Sequence, residues 1–124
     1  KLMLPASMAD EIIDYLEENR YIDNLRFAKA FARDKVRFSG WGRNKIRMAL
    51  AVKRISSSEV SEALDEIDED EYLLALAKAA EAKARNLDLA DYEERAKLYR
   101  HLIARGFESN LISKAIRKIQ DEME

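Results

Sequence analysis

The stretch from residue 21 to residue 55, YIDNLRFAKAFARDKVRFSGWGRNKIRMALAVKRI, decides the fold. It combines regularly spaced apolar residues, two of the three glycines and a strong local excess of positive charge. Between Arg26 and Arg54 ten basic residues and one acid, Asp34, leave nine net positive charges, whereas the whole chain carries −2. Such an excess is typical of a surface that meets an anionic partner. A merely solvated helix face is the alternative interpretation.

Length and composition point to an almost wholly helical protein. The 124 residues are 37% charged and 48% hydrophobic, with three glycines and one proline. That length suits one domain or a short array of small units, and the mix is rich in helix formers. The lack of cysteine excludes a disulfide framework and a thiol nucleophile, and it is compatible with the cytoplasm, where we expect the protein. No apolar run reaches the roughly 20 residues of a membrane span, so no membrane partner is expected.

The first fifty residues are predicted to form three helices. The chain opens on Lys1 rather than Met, so we expect that an N-terminal part is missing and that the apolar run 2–4, which stops at Pro5, is the tail of it. A helix from about residue 7 to 18 follows, and Asn19 and Asp23 are predicted to end it and to cap the next. The expected apolar stripe of this first helix is Ala9, Ile12, Ile13 and Leu16.

Two stripes are predicted on the second helix, which should run from just after Asp23 to about Phe38. At 100° per residue, the core stripe comprises Phe27, Ala28, Phe31 and Phe38. The second stripe lies roughly 145° round the helix. It comprises Arg26, Lys29, Arg33 and Arg37.

Residues 39–42, Ser-Gly-Trp-Gly, break that helix. Trp41 is predicted to pack at the helix junction rather than to stack on a nucleobase, because large aromatic residues between helices usually pack. A third helix should run from about Arg43 to Lys53 and carry Arg43 and Arg47 on one face.

Four more helices are predicted, at about 56–67, 69–86, 91–105 and 109–120. Ser56 and Glu59 stand in capping-box register, and Gly106 is a helix-stop glycine. Eight acids and no base lie among the charged residues from 59 to 71. They are interpreted as a solvated acidic face that continues into a helix N-terminus, where negative charge is favoured. A counter-surface for a basic partner is the functional alternative.

The chain also repeats itself. An offset of 52 positions superposes Ile46 on Leu98, Leu50 on Leu102, Lys53 on Arg105, Ile55 on Phe107, Val60 on Ile112, Ala63 on Ala115, Leu64 on Ile116 and Ile67 on Ile119. An offset of 51 superposes Leu4 on Ile55, Ala9 on Val60, Ile13 on Leu64 and Leu16 on Ile67. This predicts an all-α fold of tandem three-helix repeats that form an elongated, curved array. Residues 1–20 would be the last part of a truncated first repeat, 21–67 the second repeat and 68–124 the third.

The sequence does not predict a catalytic or metal site. His101 is the only histidine, and a plain surface or boundary position is expected for it. No cofactor is predicted. The residues expected to bind a partner are the basic ones of the second and third helices: Arg26, Lys29, Arg33, Arg37, Arg43, Lys45 and Arg47. Their spacing suits phosphates or an acidic protein groove, so a nonspecific nucleic-acid-binding helical module stays an open alternative.

Three motifs resemble one family, the RecX regulators of recombination. They are Tyr21-Ile22-Asp23-Asn24-x-Arg26-Phe27-Ala28, Gly40-Trp41-Gly42-Arg43-x-x-Ile46-Arg47-x-x-Leu50, and Leu98-Tyr99-Arg100-x-Leu102-x-x-Arg105-Gly106-Phe107. The resemblance implies tandem three-helix repeats that bind the bacterial RecA recombinase filament. It further implies binding in the groove of the RecA–single-stranded-DNA filament, restraint of filament extension, ATP hydrolysis and strand exchange, and no catalytic activity.

Two positions depart from that resemblance. The family often has proline where this chain has Arg43, and glycine where it has Arg54. Either change is expected to shift a helix end slightly without touching the core.

Overall fold

The computed structural model describes residues 6–123, which form six α-helices and one π-helical segment. These are α1 (Ala6–Asp34), the π segment (Lys35–Ser39), α2 (Arg43–Val52), α3 (Ser57–Asp65), α4 (Glu69–Ala84), α5 (Tyr92–Ala104) and α6 (Ser109–Glu122). The predicted all-α fold of tandem three-helix units is confirmed. The apolar run 2–4 and Pro5 lie outside the described residues.

The predicted break between the first two helices is wrong. Residues 19–23 are part of α1, which continues without interruption to Asp34. No glycine or proline occurs there, so each backbone N–H keeps its helical partner. The side-chain amide nitrogen of Asn19 donates to the backbone carbonyl oxygen of Tyr15 at 2.8 Å and thus bonds inside the helix instead of ending it. A capping residue such as Asp23 has no function where no helix begins.

The predicted core stripe of the second helix is partly wrong. The buried residues are Ala28, Ala32 and Val36, whereas Phe27 is 46% exposed and Phe38 is 81% exposed. At 100° per residue Phe38 lies roughly 80–160° round the helix from these three residues, so a core stripe on them leaves Phe38 on another face. Small side chains on the buried stripe let α1 approach α3 closely.

The apolar stripe of the first half of α1 is exposed. Ile12, Ile13 and Leu16 are 44%, 51% and 59% exposed. The repeat at offset 51 is therefore a match of sequence pattern that does not extend to burial.

The five later helices are confirmed to within two residues at each end. The largest differences are at the C-terminal ends of α3, α4 and α6, which lie at Asp65, Ala84 and Glu122. Ser56 caps α3 as predicted, with the Glu59 carboxylate bound to the Ser56 hydroxyl rather than to its backbone N–H. The hydroxyl of Ser56 accepts from the Glu59 backbone N–H at 3.3 Å and donates to its carboxylate at 2.6 Å. Asp68 and Asp91 likewise cap α4 and α5.

Burial follows the repeat at offset 52. Ile46 and Leu98 are both fully buried, as are Leu50 and Leu102. The pairs Val60 with Ile112 and Leu64 with Ile116 are also buried. The same core positions therefore recur in both units, and one continuous apolar core joins them.

The two units meet backbone to backbone at their glycine turns. Gly42 N–H donates to Arg105 O at 2.8 Å, and Asn44 N–H donates to Gly106 O at 2.9 Å. The guanidinium of Arg105 reaches the other way and donates to the carbonyls of Ser39 and Gly40 at 2.7 and 3.2 Å. We call this contact the glycine joint. It fixes the unit of α1–α3 against that of α4–α6 through main-chain atoms.

Arg54 occupies a conformation that favours glycine. Its φ is +64°, and its counterpart at offset 52, Gly106, has a φ of +97°. A side chain in the left-handed region costs roughly 1–2 kcal/mol.

We therefore expect Arg54→Gly to stabilise the protein by about 0.5–1 kcal/mol, after the extra flexibility of glycine in the unfolded chain is subtracted. Chemical unfolding followed by circular dichroism measures this. Arg54→Ala is the control, because alanine keeps the strain. Equal stabilities of the two variants would contradict the strain at this position.

Candidate partner-binding surfaces

The predicted basic stripe on α1 faces acids of the same chain. Lys29 Nζ lies 2.8 Å from Glu66 Oε1. Arg37 in the π segment forms a bidentate pair with Glu71, with N···O distances of 3.0 and 2.8 Å. Arg33 Nε lies 3.4 Å from its neighbour Asp34. Glu66, just beyond α3, and Glu71, in the first turn of α4, thus neutralise part of the stripe.

These ion pairs leave the stripe accessible to a competing anion. Arg37 and Glu71 are 46% and 41% exposed at their side chains, and exposed pairs contribute only about 0–1 kcal/mol. A stronger partner can therefore displace the internal carboxylates. Arg26 is exposed and has no ion pair among residues 6–123.

Arg43 lies at the centre of a polar cluster beside the glycine joint. Its guanidinium contacts Glu69 at 2.6 Å and Glu108 at 2.7 Å, and it stacks on the ring of Tyr72 at 3.9 Å. The Tyr72 hydroxyl accepts from the Arg43 backbone N–H at 2.9 Å and donates to the Glu108 carboxylate. Only 19% of the Arg43 side chain is exposed. This arginine therefore bridges the two units.

The pKa values of the cluster reflect burial opposed by hydrogen bonding. Burial works to raise the pKa of Glu108, but hydrogen bonds from Tyr72 and Arg43 outweigh it and hold that pKa below its ordinary value. Burial, followed by the hydrogen bond to Glu108, raises the pKa of Tyr72. The charged carboxylate and the neutral phenol are thus the favoured forms in the fold.

Lys45 and Arg47, the last two predicted residues, lie on α2. Lys45 Nζ is placed 4.5 Å from the centre of the Trp41 ring. Arg47 is exposed and donates to the side-chain oxygen of Asn44 at 2.9 Å. Neither has an acidic partner in the part of the chain that the structure describes.

The sequence analysis predicted only Lys45 of a second cationic surface. Three lysines lie over three neighbouring aromatic rings, an arrangement that we call the lysine–aromatic face. Its members are Phe27, Phe31, Trp41, Lys35, Lys45 and Lys53. Lys35 Nζ is 4.6 Å from the Trp41 ring centre and 5.4 Å from that of Phe31. Lys53 Nζ is 5.8 Å from Phe31 and 6.0 Å from Phe27. The spacing of four residues from Phe27 to Phe31 to Lys35 was the available signal.

The two cationic surfaces point in different directions. At 100° per residue, Lys35 lies roughly 160° round the helix from Arg33. The basic stripe faces the acids of α3 and α4, whereas the lysines of the lysine–aromatic face have no ion pair in the described range 6–123. The local excess of positive charge is therefore divided between a partly neutralised surface and an open one.

The acidic run from 59 to 71 forms ion pairs within the chain, which its interpretation as a solvated face did not predict. Glu66, Glu69 and Glu71 pair with Lys29, Arg43 and Arg37 respectively. Glu62 accepts from the Tyr21 hydroxyl at 2.5 Å. The acidic run is thus bound to α1, to the π segment and to α2.

Trp41 and His101, the only tryptophan and the only histidine of the sequence, lie in the kinds of position that were predicted for them. Trp41 is half-buried and packs edge-on against Phe31, with ring centres 6.3 Å apart. His101 is half-buried, and its pKa is lowered by burial, with smaller effects of Lys83 and Arg105. In the described range no group of three or more potential ligand residues could hold a metal ion.

Comparison with known proteins places this arrangement in a family. Residues 23–64 match the family model "RecX, second three-helix domain", and residues 69–116 match "RecX, third three-helix domain". The chain belongs to the RecX family.

Curated RecX relatives support the assignment. The "Regulatory protein RecX" of Vibrio parahaemolyticus is 36% identical over 110 residues, which cover 89% of this chain and 69% of the relative. That of Clostridium tetani is 34% identical over 102 residues, which cover 79% of this chain and 46% of the relative. The chain thus spans about half to two thirds of the length of these RecX proteins.

A solved RecX structure has the same fold. The crystal structure of RecX from Lactobacillus salivarius matches with a TM-score of 0.75 at 21% identity and covers 94% of this chain and 76% of that one. None of the described helices of this RecX chain is long and apolar enough to cross a membrane.

Proposed function

We propose that this chain is a non-catalytic, cytoplasmic regulator of the RecA recombinase. It binds in the helical groove of the RecA–single-stranded-DNA filament and restrains filament extension, ATP hydrolysis and strand exchange. The observation that carries the proposal is the match to two consecutive RecX three-helix domains. The curated relatives are named regulatory proteins, which supports a regulatory rather than an enzymatic function.

The geometry suits a protein that bridges subunits of a polymer. The glycine joint and the shared core hold two units as one body, so contacts made by each unit act together. A rigid ligand that fits one state of a filament better than another shifts the filament toward that state. The proposed contacts remain Arg26, Lys29, Arg33, Arg37, Arg43, Lys45 and Arg47.

The DNA-dependent ATPase of RecA tests this function directly. We expect saturable inhibition as the protein is titrated onto preformed filaments. Unchanged hydrolysis at concentrations well above that of the filament would contradict it. A gel-shift series with and without recombinase tests the alternative, a nonspecific nucleic-acid-binding module, for which binding to bare single strands should fall steeply with salt.

The basic stripe gives a sharper prediction. Arg26→Glu combined with Arg33→Glu should raise the concentration needed for half-inhibition by at least about tenfold, or about 1.4 kcal/mol. Both side chains are exposed, so helicity should not change. Arg37 is left intact because its reversal would place a carboxylate against Glu71.

The matched control is Lys114→Glu with Lys118→Glu, an exposed basic pair on α6. It has the same change in net charge and should inhibit like the parent. Equal loss in both double variants would show that net charge, and not the stripe, governs binding.

A further inference from the structure

An apolar groove lies beside the lysine–aromatic face. It has a volume of about 380 Å³ and runs between α2 and the C-terminal end of α5. Its largest apolar side chains are Trp41, Met48, Val52 and Ile103. Met48 is 71% exposed and Val52 is 84% exposed. When an apolar partner covers adjacent aliphatic side chains that are this exposed to water, the free energy of the system falls.

The groove is bordered by positive charge only. Among its lining residues Lys45 is the one charged side chain, and no acid is present. Lys35 shares the ring of Trp41 with Lys45, and Lys53 follows Val52 at the end of α2. None of the three lysines has an ion pair within residues 6–123. An anionic occupant is therefore favoured over a neutral or cationic one.

Another apolar groove of the chain lacks this selectivity. The groove between α4 and α6 has a volume of about 450 Å³, and its rim carries both signs of charge. Glu69, Glu81 and Glu122 alternate there with Lys114 and Lys118. The single sign of charge thus distinguishes the α2–α5 groove from the α4–α6 groove. A groove between α5 and α6 also has only basic charged residues in its lining, Arg95, Arg100 and Arg117.

The chemistry of the groove favours a protein segment over a nucleic acid. Stacking of bases needs open ring faces. Trp41 packs edge-on against Phe31 and has two lysine ammonium groups within 4.6 Å of its ring centre. The exposed apolar side chains of the groove itself, Met48, Val52 and Ile103, are aliphatic, and the exposed ring of Phe27 lies outside the groove lining. Aliphatic surface suits apolar amino-acid side chains, and the lysines suit carboxylates.

We propose that the α2–α5 groove and the lysine–aromatic face together dock an acidic protein segment that carries apolar anchor side chains. The anchors would cover Met48 and Val52, and the carboxylates would pair with Lys35, Lys45 and Lys53. This surface lies on a different side of α1 from the basic stripe. The inference goes beyond the proposed function, with which it shares only Lys45, and it is tested with a peptide in the absence of recombinase.

A synthetic peptide tests the proposal. The probe is a short fluorescein-labelled peptide in which aspartate and glutamate flank leucine and phenylalanine. We expect its fluorescence anisotropy to rise with added protein and to fall again at high salt. Emission from Trp41, the only tryptophan, should change in parallel because the residue lines the groove.

Two double variants separate the two parts of the surface. Lys45→Gln with Lys53→Gln and Met48→Ser with Val52→Ser should each weaken peptide binding by about tenfold. These side chains lie at or near the surface, and circular dichroism checks that each variant is folded. Lys114→Gln with Lys118→Gln, on the mixed-charge groove, is the control and should bind like the parent.

Four results would overturn the proposal. The first would be that the parent chain does not bind the peptide. The second would be that both double variants, of the lysines and of Met48 and Val52, bind it as tightly as the parent. The third would be that an acidic peptide in which serine replaces leucine and phenylalanine binds equally well. The fourth would be that oligo-deoxythymidine binds more tightly than the peptide and is weakened by the same lysine substitutions, which would assign the face to single-stranded nucleic acid.

Discussion

Replacement of Gly42 by alanine is expected to lower the free energy of unfolding by about 3 kcal/mol, the upper part of the usual range for overpacking. A Cβ atom there would lie 2.2 Å from Gly106 C and 2.3 Å from both Gly106 O and Phe107 N. These are backbone atoms that cannot rotate away. Relief requires the two units to separate, which would break the hydrogen bonds from Gly42 and Asn44 across the joint.

The Gly42 substitution tests the steric effect of an added Cβ atom without the effect of an unfavourable backbone conformation. Gly42 has a φ of −85°, which any residue adopts, so the loss would be steric. Gly40→Asn is the control. Asparagine tolerates the φ of +64° at Gly40, and the nearest atom there is the end of the Arg105 side chain, at 2.6 Å. Urea unfolding of both variants measures the difference. A loss at Gly42 no greater than at Gly40 would show that the joint is not tightly packed.

The second large effect is expected for Arg43→Met, which should cost about 2–3 kcal/mol. Methionine keeps an unbranched apolar chain over Tyr72 but removes both ion pairs. The Glu108 carboxylate, with a side chain 28% exposed, would then lose its cationic partner. Arg47→Met is the matched control, because it removes an exposed base from the same helix and should change stability by less than about 0.5 kcal/mol.

The pH dependence shows whether that loss is electrostatic. The pKa of Glu108 is held below its ordinary value, so its contribution to stability is complete above about pH 4.3 and disappears as the pH falls through the lower, folded-state pKa. Unfolding measured from about pH 6 to pH 3 should therefore show a smaller fall in Arg43→Met than in the parent. Parallel curves for the two proteins would assign the loss to packing.

Local patterns in the sequence predicted most of the fold because they act over one or two helical turns. The offset of 52 paired Ile46 with Leu98 and Leu50 with Leu102, and all four are buried. Ser56 and Glu59 formed the expected cap. The break at Asn19 was wrong because a capping residue is also compatible with a helix interior when no glycine or proline forces an end.

The candidate surfaces depended on contacts between distant residues, which spacing along one helix does not contain. The pairing of Lys29 with Glu66 joins α1 to residues just beyond α3, and that of Arg37 with Glu71 joins the π segment to α4. The sequence showed both sets of charges but not that they face each other. The lysine–aromatic face is similar, since Lys35 and Lys45 meet over Trp41 only when the turn at 39–42 has folded.

The uninterrupted course of α1 has a mechanical consequence. Its 29 residues make a rod of about 44 Å that passes through the predicted boundary at residue 20. Its second half is anchored in the core by Ala28 and Ala32, while its first half is exposed along Ile12 and Leu16. A tilt of about 5° at the anchored end therefore displaces the far end by about 4 Å. A force applied near Ser7 would therefore act, with α1 as the lever arm, on the packing of Ala28 and Ala32 and, through the π segment, on the glycine joint.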